Sequence, residues 1–151
     1  MSDVDKARLD LCEELGFETV NMSDVNLVGY INDSPNGEGI DIVFACSDAE
    51  AAAIEMTQLA RVGGTICMTG IHKAPRPVDL REINFQEQTL VGSRVTIKHA
   101  FEMSVALATT LADDLETVMT QTVPQSEAEG IFKMIANPSV STVKVLVDCE
   151  A

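Results

Sequence analysis

Asp3, Asp5 and Arg8 are the first residues of the chain whose types and spacing could do chemistry. Asp3 stands directly before a helical pattern, and Arg8 follows five positions later, near enough to line the same edge. A carboxylate at the end of a strand can accept hydrogen bonds from the hydroxyls of a ribose, and its charge disfavours a 2′-phosphate there. The same two acids would equally cap a helix and favour its dipole with no ligand present. Spacing alone leaves both readings open.

The other reactive side chains form no constellation. His72 lies in a loop after an apolar run and His99 at the start of a helical pattern. Neither has Cys, Glu or Asp neighbours at zinc-ligand spacing. Cys12, Cys46, Cys67 and Cys149 are far apart and include no C-x-x-C pair, which argues against both a metal site and a disulfide framework. Cys46 and Cys67 sit inside apolar runs, where a free cysteine behaves as a small buried hydrophobe. Four reduced thiols in a cytoplasmic protein are the expectation. No Ser/His/Asp arrangement is recognisable, and no residue is assigned a catalytic or metal-binding role.

Composition narrows the classes further. The 151 residues suffice for one domain with a sizeable core. With five Phe, one Tyr and no Trp, that core must rest on Val, Ile, Leu, Ala and Met. Such a core suits an α/β layer arrangement better than a stacking surface for single-stranded nucleic acid. A formal net charge of -14 repels phosphate backbones and anionic membranes, so neither is expected as a partner. The charged start, Met-Ser-Asp-Val-Asp-Lys, is unlike a signal peptide, and no apolar run approaches a membrane span in length.

These residues must be positioned by an alternation of strands and helices. Apolar, β-branched runs at 40–46, 65–69, 89–91 and 143–147 read as strands buried on both faces, because they lack polar/apolar alternation. Weaker strand patterns lie at 18–21 and 121–123. Four helical stripes fall between them. The first is Ala7, Leu11 and Leu15, with Cys12 beside them and Gly16 as the stop; the second is Ala52, Met56 and Leu59, from a cap at Ser47 to Gly63-Gly64. The third is Phe101, Val105, Ala108 and Ala112. The last is Ala128, Ile131, Phe132 and Ile135, capped by Ser126 and closed near Asn137-Pro138. Loops are expected at 33–39 and 72–78. The alternation predicts one α/β domain with a mainly parallel sheet and helices on both faces.

Five motifs, in order, give the chain a resemblance. The opening Ser2-Asp3-Val4-Asp5-Lys6-Ala7-Arg8-Leu9, followed by Leu15-Gly16-Phe17, is similar to a second strand and its "D-x-x-x-x-R-L…L-G-A" helix. Gly39-Ile40-Asp41-Ile42-Val43-Phe44-Ala45-Cys46-Ser47 resembles "G-x-D-V-V-F-E-C-S-G". Leu59-Ala60-Arg61-Val62-Gly63-Gly64-Thr65 resembles "L-x-R-P-G-G-x", in a run ending at Gly70, and Thr89-Leu90-Val91-Gly92-Ser93-Arg94 resembles "L-x-G-S-R". Together they resemble the cofactor domain of the zinc-dependent medium-chain alcohol and polyol dehydrogenases, in the sorbitol, threonine and 2,3-butanediol branch.

The resemblance implies a Rossmann-like, doubly wound sheet and NAD as cofactor. Asp3 would hold the adenosine ribose with Arg8 alongside, and Cys46 and Ser47 would line the adenine and ribose side. Gly70 and Ile71 would pass under the nicotinamide, and Ser93 and Arg94 would meet its carboxamide through backbone groups. Zinc ligands are implied only for the catalytic domain of the full-length relatives. The chain departs from the pattern at Ala45 and Asp48, where Glu and Gly are usual, and at Thr96, which follows Val95 without the usual aromatic residue. It contains no G-x-G-x-x-G.

Residues 1–151 are therefore expected to form a single partial dinucleotide-binding domain, cut off before its first strand and phosphate loop, with 118–151 corresponding to the C-terminal strands and helix. In a 3-2-1-4-5-6 sheet the gap would leave two unpaired edges. From this follows an expected rearrangement, a homo-oligomer, or a separately supplied missing part. Dehydrogenase activity of the isolated chain is not expected. The competing expectations are a non-enzymatic remnant serving subunit association, and a methyltransferase-like nucleotide binder.

Overall fold

The computed structural model describes residues 1–35, 37–136 and 142–150. The chain divides into two compact units: Met1–Asn21 with Thr96–Ala151, and the contiguous Met22–Val95.

In the first unit, strand β1 (Ser2–Asp3) leads through helix α1 (Lys6–Glu14) to strand β2 (Val20–Asn21), which pairs with β1 in parallel. Asp5 starts α1 by accepting the Ala7 amide at 2.9 Å, and Gly16 ends it in the left-handed region at φ 82°. The inward position of α1 is Leu9, buried, whereas Ala7 of the expected stripe is exposed. The same unit holds α5 (Lys98–Thr110), α6 (Ala112–Val118), β6 (Met119–Pro124), a 3-10 turn (Gln125–Glu127), α7 (Ala128–Ile135) and β7 (Lys144–Asp148), with β6 and β7 parallel. Ser126 falls inside that turn and makes no capping bond, so α7 begins after Glu127. The expected end of α7 at Asn137-Pro138 lies outside the described residues. Of its stripe, Ile131 is buried and Phe132 exposed. The α5 stripe is not buried either: Phe101 is 60% exposed.

The second unit opens with α2 (Leu27–Asn32), capped by Asn26 through the Gly29 amide at 2.8 Å. Strand β3 (Ile40–Ala45), helix α3 (Glu50–Leu59), strand β4 (Ala60–Met68), helix α4 (Leu80–Phe85) and strand β5 (Thr89–Gly92) then make two consecutive strand–helix–strand crossovers. The sheet is parallel throughout, in the order β3-β4-β5, with Val43 opposite Ile66 and Ile66 opposite Leu90. Met56 of α3 joins Ala60 and Ile66 as the core, and Val43, Ala45, Met68, Val78 and Leu90 pack around them. A run of such residues satisfies the parallel-sheet pattern because successive side chains reach opposite faces.

Two expectations fail in this unit. The strands are not buried on both faces, since Ile42 and Phe44 are 55% and 65% exposed while Val43 and Ala45 meet the core. The face toward α3 is the one that carries the core. Helix α3 also starts later and stops earlier than expected. Ser47 bonds the Ala49 amide in a turn before it, and the helix ends at Leu59, four residues before Gly63. A side chain from β5's approach bridges the junction of α3 and β4: buried Gln88 donates from Nε2 to Thr57 O at 2.8 Å and Ala60 O at 2.9 Å. Gly63-Gly64 instead form an irregularity in β4, with Gly63 at φ 68° and the pairing register shifting between Ile40 and Ile42.

Candidate functional site

Sequence-predicted site residues fall in both units, and each unit gathers its own set. In the first, Asp3 ends β1 and faces the first turn of α1. Its Oδ1 accepts the amides of Val4 at 2.7 Å and Asp5 at 3.0 Å, which folds the carboxylate back over its own backbone. Its Oδ2 has only a long contact, 3.4 Å to Arg8 NH1. Partial burial pushes the Asp3 carboxyl up, but the amides of Asp5 and Val4 and the Arg8 guanidinium outweigh it, so the pKa lies below its ordinary value of 3.8. The result is a fixed, ionised acceptor with one oxygen still able to take hydroxyl hydrogens. Such an oxygen can accept hydrogen bonds from vicinal hydroxyls, as a ribose carries.

In the second unit, Cys46, Ser47, Gly70, Ile71, Ser93 and Arg94 follow the carboxyl ends of β3, β4 and β5, the end at which open parallel sheets bind ligands. The Ala45 carbonyl accepts the amides of Thr69 at 3.0 Å and Gly70 at 2.9 Å, tying the end of β4 to that of β3. Gly70 sits so close that a Cβ there would approach Cys46 C at 2.9 Å. The Ser93 amide donates to Met68 O at 2.9 Å, extending the β4–β5 pairing by one step. Ile71 and Arg94 are exposed, and their side chains join neither group. Val95, next in the chain, has φ 58°, an outlier for a β-branched residue. This strained residue precedes Thr96, the position at which the family pattern expects an aromatic.

Cys46 is exposed, contrary to the expectation of burial, because the strand ends at Ala45 and the thiol follows it out of the sheet. The Thr69 hydroxyl donates to its sulfur at 3.1 Å. All four cysteines are free, with Cys67 half-buried. His72 Nδ1 lies 3.2 Å from the Asp48 carbonyl, a backbone contact that makes it part of the loop rather than of a ligand set. Among the described residues no three His, Cys, Asp or Glu side chains converge to hold an ion, so the residues present do not fit zinc. No helix among them is long and apolar enough to cross a membrane.

Two residues that matter here, Thr69 and Gln88, stand outside the motifs, and Asp5 has a second contact besides the cap expected of it. Thr69 bridges two strand ends, Gln88 bridges α3 and β4, and Asp5 holds Arg8 at 3.6 Å as well as capping α1. Asp5 alone left a signal, as the acid three residues before an arginine on one helix face.

Comparison with known proteins covers the same elements. The zinc-binding dehydrogenase family model matches residues 1–110. A curated 2-dehydro-3-deoxy-L-galactonate 5-dehydrogenase of Pseudoalteromonas atlantica is 31% identical over 100% of this chain and 44% of its own length. Sorbitol and L-threonine 3-dehydrogenases also match, in line with the branch expected from the motifs. An alcohol dehydrogenase structure from Thermotoga maritima superposes with a TM-score of 0.87 at 23% identity, covering 97% of this chain and 41% of the other. A Sinorhizobium meliloti chain, solved as a zinc-binding dehydrogenase bound to NADP, gives 0.81 at 25% identity over 98% of this chain and 44% of the other. The α/β architecture with parallel pairing thus agrees with the Rossmann-like expectation. The chain spans less than half the length of these relatives.

Proposed function

The chain belongs to the zinc-binding dehydrogenase family, and on that basis we propose that it is a nicotinamide dinucleotide-binding portion of an alcohol or polyol dehydrogenase, with NAD as the preferred cofactor. One observation carries the choice of NAD. Asp3, held ionised at the end of β1, offers Oδ2 to the ribose hydroxyls and a negative charge to any 2′-phosphate. NADP in one relative's structure is the competing outcome. Residues 1–151 are read as one partial dinucleotide-binding domain, in which 118–151 contribute the C-terminal strands and helix.

Asp3 and Arg8 would orient the adenosine ribose. Cys46 and Ser47 would line the adenine and ribose side, Gly70 and Ile71 would run beneath the nicotinamide, and the backbone at Ser93 and Arg94 would meet its carboxamide. The dinucleotide, when bound, supplies the acceptor for a hydride from a secondary alcohol. Titration of NAD, NADP and S-adenosylmethionine into the chain by calorimetry tests the reading. NAD binding supports it, NADP alone reverses the cofactor, and methyl-donor binding or none at all refutes it.

A second reading is a non-enzymatic subunit-association role as a homo-oligomer. The exposed apolar residues Ile42 and Phe44 on the edge strand β3 favour it. The free thiols suit the cytoplasm in either case.

A further inference from the structure

We propose that α5 is a self-association surface, on which two copies of this chain pack α5 against α5, antiparallel, about a two-fold axis. The proposal rests on the homo-oligomer reading above and gives it a surface separate from the β3 edge.

Helix α5 is largely apolar and yet carries no buried residue. Phe101 and Val105 are 60% and 54% exposed, and residues 103–112 include no charged side chain. A chain of net charge -14 repels its own copies, so it associates with itself most readily through an uncharged surface.

Helical bonding continues past the end of α5. The Leu111 amide donates to Leu107 O at 3.0 Å, and the Leu115 amide to Leu111 O at 2.9 Å. One stripe therefore runs through α5 into α6: Phe101, Val105, Ala108, Ala112 and Leu115, spaced alternately by four and three. That is the repeat of a helix–helix seam. Ala108 is half-buried and the other four are exposed. Met103 and Leu107 form a second exposed row, but it runs on to Thr110 and Asp114 and turns polar.

Size and charge set the direction. In an antiparallel pair Phe101 meets Ala112 of the second copy and Val105 meets Ala108, so each large side chain faces a small one. A parallel pair would set Phe101 on Phe101 and Ala112 on Ala112, crowding one end and leaving a void at the other. The antiparallel register also lays Lys98 against Leu115 of the second copy, beside Glu116, while Glu102 falls next to Thr109 rather than another acid. Lys98 is available for this: its side chain is 91% exposed and its contact with Glu102 is long, at 3.8 Å.

Sedimentation equilibrium of the full chain over a concentration series tests the proposal. The wild type is expected to dimerise. Phe101→Ala and Ala112→Phe, each alone, should weaken the dimer about tenfold or more, the first by a lost contact and the second by a clash. Together they restore large against small, and the dissociation constant should return to within about threefold of wild type. Lys98→Glu and Glu116→Lys should each cost about fivefold, again with recovery in the double variant. Recovery is a result that misfolding cannot imitate. Single losses without recovery would overturn the antiparallel register and the proposal with it. A dimer indifferent to Phe101→Ala but lost with Ile42→Asp and Phe44→Asp would overturn the proposal and keep the homo-oligomer reading. A wild type that stays monomeric at every concentration would sink both.

Discussion

A Cβ placed on Gly70 would stand 2.5 Å from the carbonyl oxygen of Ser47. The ends of β3 and β4 therefore meet as bare backbones, and the segments after them form one surface rather than two loops. Nothing flexible is available to yield, because the opposing atoms are main-chain.

Gly70→Ala is expected to force the strand ends apart and to lower stability by about 1–3 kcal/mol, the usual cost of overpacking. A urea midpoint reads this directly. An unchanged midpoint would mean that the Ala45 knot opens without cost.

Gln88→Leu should cost about 2–4 kcal/mol, since it strips two buried carbonyls of their donor. Its own Oε1 is buried without a partner among the described residues. Part of the loss is thereby offset, so a value near the lower end is expected. Equilibrium denaturation monitored by circular dichroism checks it; a neutral effect would show that Thr57 and Ala60 find other partners.

Asp3→Asn is expected to weaken NAD binding about tenfold or more, the worth of a charge-assisted hydrogen bond. The pH profile follows from the lowered pKa. A carboxyl whose pKa is depressed on folding contributes above its unfolded value and loses that contribution as pH falls through the folded one. The difference between wild type and Asp3→Asn should therefore hold level down to the ordinary aspartate value of 3.8 and collapse only below it. A difference already lost near neutral pH would remove Asp3 from the site.

Association separates the two functional readings. If Ile42 and Phe44 mediate contact between copies, Ile42→Asp with Phe44→Asp should shift sedimentation to the monomer mass while leaving the dichroism spectrum unchanged. A wild-type chain that is already monomeric would eliminate the homo-oligomer. Turnover separates them again: no zinc-dependent oxidation of butanediol by the 151-residue chain with NAD is expected, and a clear signal would reverse that expectation.

The crossovers of the second unit were legible because Ile40, Val43, Ile66 and Leu90 repeat one simple demand, apolar residues in short β-branched runs. Helix ends were less so. Gly63-Gly64 looks like a stop, yet the helix closes at Leu59, where Ala60 turns extended and Gln88, far along the chain, meets the carbonyls of Thr57 and Ala60. Periodicity also overstates burial. Phe44 and Phe101 sit in convincing apolar patterns and are exposed, since a pattern reports what a face could bury and not whether anything covers it. At the candidate site, Asp3 and Gly70 were found by motif. Thr69 and Gln88 depend on distances that no spacing rule supplies.

The first unit is assembled from Met1–Asn21 and Thr96–Ala151, with the second unit inserted between its two pieces. A contiguous unit closes its contacts over short chain distances, while a divided one must also close the whole intervening stretch as a loop. During synthesis the second unit is complete in the emerging chain before the first has received its later piece. The connectivity thus sets an order of availability: residues 22–95, with Met56 and Ile66 in their core, are all present before Met1–Asn21 meets the later piece of its unit.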